Sequence, residues 1–171
     1  MNGLPPYRRT RIIRTAFRPG QRILMISDIH GHDAVFRKLL RKARFSADDA
    51  LVIVINNGLY SMTGGQLAPT YVGDAREGAE GAGFSVEKVL SAFPLRYLAR
   101  AALTDAERIA EAKRYLETAL DDYLENGGFH LVELLSPCPT NYRLSPKEMA
   151  ERINGPVAAR YPLGEFVPLR P

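Results

Sequence analysis

One cysteine, three histidines and no acidic residue before Asp28 are the scarcities that first constrain this 171-residue chain. Cys138 alone closes no intramolecular disulfide, and a single thiol makes no cysteine-based zinc or iron–sulfur site, so the composition points to a reducing compartment. Long apolar runs are missing too. The longest, Ala50 to Ile55, has six residues, against about 20 needed to cross a bilayer, and no hydrophobic signal core follows the first methionine. The sequence therefore predicts a soluble, cytoplasmic protein with no membrane partner. No internal repeat is visible.

What is present suits one compact α/β domain. With 46% hydrophobic and 25% charged residues, the chain holds enough apolar material for a real core and too little length for two complete enzymes. The net charge of +4 is unevenly divided: residues 1–54 carry 11 Lys+Arg against 4 Asp+Glu, or +7, and residues 55–171 carry 12 against 15, or −3. Arg8, Arg9, Arg11, Arg14 and Arg18 make residues 1–21 a basic arm, interrupted by Pro5, Pro6 and Pro19-Gly20. Only Tyr7 and Phe17 are available there for stacking on bases, so the arm reads as a solvated segment or edge strand rather than a nucleic-acid surface. It contains no serine and does not read as a transit peptide.

From Arg22 onward the pattern is regular. Ile23-Leu24-Met25-Ile26 is a buried-strand run, Ala34 to Ala43 has helical spacing through Val35, Leu39 and Leu40, and Leu51 to Ile55 is a second buried strand. This is a βαβ unit, whose parallel strands end on the sheet edge where α/β proteins bind ligands. Asp28, His30 and Asn56-Asn57 all fall on that edge. Gly58 to Gly83 is glycine-rich without periodicity and is expected as a long surface loop. Thr104 with Glu107 forms a capping box for a helix carrying Ile109, Ala112, Leu116, Leu120, Tyr123 and Leu124 on one face and stopping at Gly127-Gly128. Phe129 to Leu135 follows as a strand, Ser145-Pro146 with Glu148 opens a further helix, and Pro162 to Pro171 reads as an extended tail. The expected fold class is α/β, a mostly parallel sheet of about four strands within three layers. His32 reads as helix-start surface, His130 as a satisfied structural histidine, and Cys138 as a small packed residue.

Two partial signatures follow one another. Arg22 to Gly31, a strand run ending in Asp28-Ile29-His30-Gly31, resembles the opening motif of the calcineurin-like metallophosphoesterases, over roughly residues 8 to 54. Residues two apart at a strand end project to the same side, so Asp28 and His30 are candidate ligands for one divalent metal. Where that family continues into a Gly-Asp pair, this chain has Ile55-Asn56, and its only histidines are His30, His32 and His130. A two-metal hydrolase needs more ligands than these.

From about Val52 the resemblance changes. Val54 to Thr70, with Asn56-Asn57-Gly58-Leu59-Tyr60 and Thr63-Gly64-Gly65-Gln66 at its centre, looks like the thiamine diphosphate loop of the β subunits of 2-oxoacid:ferredoxin oxidoreductases. Gly128 to Tyr142, Leu144 to Pro146 and Tyr161 to Phe166 resemble the same family in the same order. The resemblance implies an incomplete thiamine diphosphate-binding domain and, at family level, oxidative decarboxylation of a 2-oxoacid to its acyl-coenzyme A. It also implies thiamine diphosphate and magnesium as cofactors. Carried over by position, Asn57 offers a side-chain ligand to the magnesium and Leu59 a carbonyl, with Tyr60, Thr63, Gly64 and Gly65 lying along the cofactor. The family's Gly-Asp-Gly segment, the preceding half of its domain and its cluster-binding cysteines have no counterpart here. Partner subunits of an oxidoreductase complex are therefore implied, with ferredoxin reached through them.

Asp28 precedes Asn57 by 29 residues, close to the one βαβ unit, roughly thirty residues, that the resemblance to the thiamine family implies between its metal-binding Asp and its Asn pair. A hybrid metal site from Asp28, His30 and Asn57 is the resulting expectation. The chain reads as a chimera of a basic arm (1–21), a metallophosphoesterase-like βαβ (22–57) and a thiamine-enzyme-like region (58–171), with residues 22–171 forming one compact domain. The alternatives are a metal-dependent phosphoesterase acting through Asp28 and His30, and a non-catalytic product of a recombined gene.

Overall fold

The computed structural model describes residues 50–60, 64–73, 85–90 and 92–169, together with Lys38, Arg41, Lys42 and Arg44. In chain order the elements are β1 (Ala50–Asn56), β2 (Leu59–Tyr60), β3 (Gln66–Leu67), α1 (Val86–Leu90), β4 (Leu95–Ala102), α2 (Ala106–Asn126) and β5 (Phe129–Leu135). They are followed by α3 (Pro139–Tyr142), α4 (Pro146–Arg152), a π-helical turn (Ile153–Val157), α5 (Ala158–Arg160) and β6 (Gly164–Val167). The main sheet runs β1-β5-β4-β6, with β1 and β4 both parallel to β5 and β6 antiparallel to β4. The class is α/β with a mostly parallel sheet, as expected.

The centre of the sheet follows from the run Phe-His-Leu-Val-Glu-Leu-Leu, all seven residues of which are buried. A parallel strand covered on both faces needs a nearly continuous apolar run, and β5 has one. Alternation sends Val132 and Leu134 to one face, where Tyr97, Ala99 and Ala101 of β4 meet Ala112, Tyr115 and Ala119 of α2. Phe129 and Leu131 go to the opposite face with Leu98 and Val86. Farther along that face, Ala102 and Leu135 pack on Met149, Ile153 and Tyr161. Helices on both faces make three layers.

Strand β4 has no forerunner in the sequence reading, although it lies beside the centre of the sheet. Its sequence, Leu-Arg-Tyr-Leu-Ala-Arg-Ala-Ala, interrupts the apolar run with two arginines. The structure accommodates both. Arg100 is 1% exposed and paired with Glu133, and Arg96 sits at a register shift between Leu95 and Tyr97, a local bulge that re-aims its side chain toward the α2 residue Asp122. The Arg96 stem crosses Gly128 so closely that a Cβ there would lie 2.5 Å from Arg96 Cδ, which is why the second glycine of the Gly127-Gly128 stop must be glycine. The proline-rich end, read from the sequence as an extended tail, contains strand β6, and Tyr97 Oη donates to Glu165 at 2.7 Å to hold it.

Helix α2 begins one residue later than the Thr104–Glu107 box places it. Asp105 is the N-cap, accepting from Arg108 N, and Gly127 closes the C-terminal end through its N–H to Tyr123 O. A carboxylate at a helix N-terminus is a stronger acceptor than a hydroxyl, and Thr104 turns instead to Asp105 and Asn154. The buried seam is Ala112, Tyr115, Ala119 and Asp122, while Ile109, expected on the core face, is 51% exposed. The capping box of α4 is as expected: Ser145 and Glu148 each bond the other's backbone N–H. The stretch expected as an element-free loop contains the β2–β3 hairpin, and α1 follows it.

Candidate functional site

The C-terminal ends of β1, β5 and β4 lie on one edge of the sheet, and the chain leaves β1 there at Asn56. Asn56 faces two ways. Its Nδ2 donates 2.7 Å to Glu133 Oε1 inside the sheet, and its Oδ1 accepts from Gly58 N at 3.0 Å and from Thr70 Oγ1 at 2.8 Å in the loop. Glu133 is itself held by Arg100 Nε at 2.7 Å. Arg100 Nη1 donates to Pro162 O, and the guanidinium lies 5.1 Å from the Phe166 ring centre and 5.5 Å from that of Tyr161. Its Nη2 has no hydrogen-bond partner among the described residues; the two aromatic faces give the cation a favourable surface.

Asn57 is arranged differently from Asn56. Its Oδ1 accepts from Leu59 N at 2.9 Å, an Asx turn that fixes the side chain over its own loop. Gly58 has φ +73°, and a Cβ there would lie 2.9 Å from Tyr142 Oη, so both conformation and space require glycine. The hairpin then pairs Leu59 with Leu67 and Tyr60 with Gln66, closed by Gly65 N to Tyr60 O at 3.2 Å and Ala68 N to Gly58 O at 3.0 Å. Asn57, Leu59, Tyr60, Gly64 and Gly65 are thus gathered into one loop and hairpin. Thr63, Asp28 and His30 lie outside the described residues, and with them the proposed hybrid metal site.

Residues far along the chain complete the loop's surroundings. Tyr142 Oη donates to Asn57 O at 3.1 Å. The Tyr142 ring stacks on Tyr71, 6.2 Å between centres and 11° between planes. Arg152 places its guanidinium 4.9 Å from the Tyr142 ring centre and 5.6 Å from that of Tyr71 and donates to Val72 O. Burial pushes the Tyr142 phenol above its ordinary pKa, opposed by Arg152, so the hydroxyl remains a donor. Asn56, Asn57, Gly58, Tyr142, Arg152 and Tyr161 border a cavity of about 20 Å³, room for one water molecule. None of Tyr71, Tyr142 or Arg152 was singled out in the sequence, because nothing local marks residues that meet across such separations.

The loop suits part of a magnesium–diphosphate site. Asn57 Oδ1 and a backbone carbonyl are hard oxygen donors of the kind magnesium takes alongside phosphate oxygens. Among the described residues no group of three or more His, Cys, Asp or Glu side chains could hold a metal, so a carboxylate ligand would have to come from elsewhere. Cys138 is half-buried, with Asn141 Nδ2 3.3 Å from its sulfur.

His130 is structural, as expected. It is fully buried, with Nε2 2.6 Å from Asp122 Oδ2 and Nδ1 3.2 Å from Gly128 O. Arg96 bonds the same carboxylate twice at 2.8 Å and Asn126 once at 2.7 Å. The Arg96 hydrogen bonds hold the Asp122 carboxyl well below the usual range, against the opposing effect of burial, with His130 and Asn126 adding to it. No described helix is long and apolar enough to cross a membrane.

A glycine-rich turn after a parallel strand, led by a pinned asparagine pair, lies at the C-terminal strand edge where α/β folds bind ligands. The particular kinship comes from comparison with known proteins. The chain is 34% identical over 110 residues to 2-oxoglutarate synthase subunit KorB of Archaeoglobus fulgidus, 61% of this chain and 39% of that protein. It is 31% identical over 125 residues to ketoisovalerate oxidoreductase subunit VorA of Methanothermobacter marburgensis, 67% of this chain and 26% of that protein. To the KorB subunit of Methanothermobacter thermautotrophicus it is 36% identical over 111 residues, 59% of this chain and 36% of that protein. Homology to 2-oxoacid:ferredoxin oxidoreductase subunits therefore extends over about 60% of the chain, which spans between 26% and 39% of the length of these curated relatives. No family model matches the chain, and no solved structure matches it.

Proposed function

We propose that this chain is a relative of the β subunit of a 2-oxoacid:ferredoxin oxidoreductase and carries part of a thiamine diphosphate site. The observation that supports this most is the loop after β1: of the residues that the family resemblance assigns to magnesium and cofactor, Asn57, Leu59, Tyr60, Gly64 and Gly65 follow the C-terminal end of a parallel strand, the edge where α/β sheets bind ligands. Asn57 Oδ1 and the Leu59 carbonyl would hold the magnesium, and Tyr60, Thr63, Gly64 and Gly65 would flank the cofactor. When bound, thiamine diphosphate supplies the electron sink for decarboxylating a 2-oxoacid. The chain's own part is to bind and orient it. Oxidative decarboxylation to an acyl-coenzyme A would need partner subunits, which supply the rest of the cofactor site and the path to ferredoxin.

The test is calorimetric. Titrating thiamine diphosphate into the full chain is expected to give heat that requires magnesium and to weaken more than tenfold in Asn57→Ala. No heat with the wild type, or unchanged heat in the variant, defeats the reading.

A second reading, a metal-dependent phosphoesterase, rests on the Asp28-Ile29-His30-Gly31 motif. It predicts manganese-dependent hydrolysis of a generic phosphodiester that disappears in Asp28→Ala; activity surviving that change would exclude this site. If neither chemistry appears, the remaining reading is a non-catalytic product of a recombined gene.

A further inference from the structure

Three features stand outside the loop itself: the buried Arg100–Glu133 pair, the exposed Ile53 and Ile55 on β1, and the Tyr71–Tyr142–Arg152 cluster. The first is buried between the central strands and held by its own partners, Pro162 O and two aromatic rings. For the second, nothing shows what covers it. The third touches the loop at one atom, and that atom is informative.

Tyr142 Oη bonds Asn57 O at 3.1 Å, while the N–H of the same peptide, that of Gly58, bonds Asn56 Oδ1 at 3.0 Å. A peptide is a rigid plane, so this one is held from both ends. It is also a plane that would otherwise turn over readily, because glycine follows it and accepts either sign of φ. A flip would carry the Asn57 carbonyl away and disrupt the Asx turn in which Leu59 N meets Asn57 Oδ1 at 2.9 Å. The Tyr142 hydroxyl therefore selects the one peptide orientation that keeps the Asn57 side chain in place. Tyr142 is in turn fixed by stacking on Tyr71 and by Arg152, whose guanidinium addresses both rings and whose N–H ties down Val72 O.

We infer that Tyr142 and Arg152 are positioning residues for the loop. They lock the Asn57–Gly58 peptide so that Asn57 is presented to a metal-bound diphosphate. The inference rests on the thiamine diphosphate reading for the ligand, but the lock itself is read without any ligand. Tyr142→Phe removes only the hydroxyl and keeps the stack.

By hydrogen exchange the Gly58 and Leu59 amides of the free Tyr142→Phe chain should exchange about three- to tenfold faster than in the wild type, the effect of losing one ordinary hydrogen bond. The amide of Leu131 in β5 should be unchanged. Magnesium-dependent thiamine diphosphate affinity should fall by a similar factor. Arg152→Lys, which keeps the charge but loses the planar contact, should move both readouts the same way, about two- to threefold. Tyr142→Ala should lower the melting temperature, and Tyr142→Phe should restore it without restoring slow exchange, a separation that a purely packing role would not give.

Unchanged exchange at Gly58 and Leu59 in Tyr142→Phe overturns the lock. Faster exchange with unchanged affinity overturns its role in presenting Asn57. If the wild type binds no cofactor, the cofactor reading fails together with the presenting role, and the exchange result separately upholds or overturns the lock.

Discussion

Arg100 and Glu133 form a buried ion pair between the two central strands, 1% and 2% exposed, with 2.7 Å between Nε and Oε2. Removing either member strands the other. Glu133→Leu leaves a guanidinium with one carbonyl and two aromatic faces; Arg100→Met leaves a carboxylate with only the Asn56 amide. Each should cost about 3–5 kcal/mol, the usual penalty for an uncompensated buried charge. The double variant removes both charges, so it should fall within about 2 kcal/mol of the wild type. Part of that residue is the acceptor lost to Asn56, about 1 kcal/mol. The coupling is therefore about 4 kcal/mol or more, above the range usual for residues in direct contact. Urea unfolding followed by circular dichroism reads it directly. With a denaturant slope of about 2 kcal/mol per molar, each single variant should lower the midpoint by about 2 M and the double variant by about 1 M or less. Additive losses, or single losses below about 1 kcal/mol, would refute the reasoning, since the pair would then be behaving as if it were in water.

Other consequences can be measured independently. The depressed Asp122 carboxyl contributes stability that is fully present above the ordinary carboxylate pKa of about 4 and is lost as the pH falls below it toward the lower folded value. The wild type should therefore lose stability between about pH 4 and pH 2 more steeply than Asp122→Asn, and parallel curves would contradict this. Gly58→Ala combines a positive φ with a Cβ pushed against the Tyr142 hydroxyl, so it should cost about 1–3 kcal/mol, with chemical-shift changes reaching Tyr142. Leu131→Ala in the centre of β5 should cost about 2–5 kcal/mol without affecting the exchange of the Gly58 amide, measured at a pH where the chain remains folded.

Strand β5, helix α2 and the capped start of α4 were legible because each is dictated locally: a continuous apolar run, a helical stripe ended by paired glycines, and Ser145 answering Glu148. Strand β4 was not. Its arginines look like surface residues until Glu133, 33 residues later, and Asp122, 26 residues later, are brought beside them. The same limit applied to the candidate site. Asn57, Leu59, Tyr60, Gly64 and Gly65 are neighbours in sequence and were found together through one motif. Tyr142 meets the loop from 85 residues away, and its partnership with Arg152 and Tyr71 depends on how α3 and α4 settle against the sheet. Helix α2 shows the intermediate case, since its existence was clear while Ile109 proved exposed and the buried seam runs through Ala112, Tyr115, Ala119 and Asp122 instead.

Asn56 gives the loop an unusual thermodynamic standing. One side chain amide spends its N–H on a carboxylate in the protein interior and its oxygen on the loop, so the two regions share a single fastening. For the loop to swing clear by releasing Asn56, Glu133 would lose one of its few partners in a place water does not reach. Surface loops ordinarily open at little cost, well below the free energy of global unfolding. Here, opening that draws Asn56 away should occur in the same cooperative step as loosening of the central strands, whereas a turn of the Asn57–Gly58 peptide that leaves Asn56 in place stays a local event.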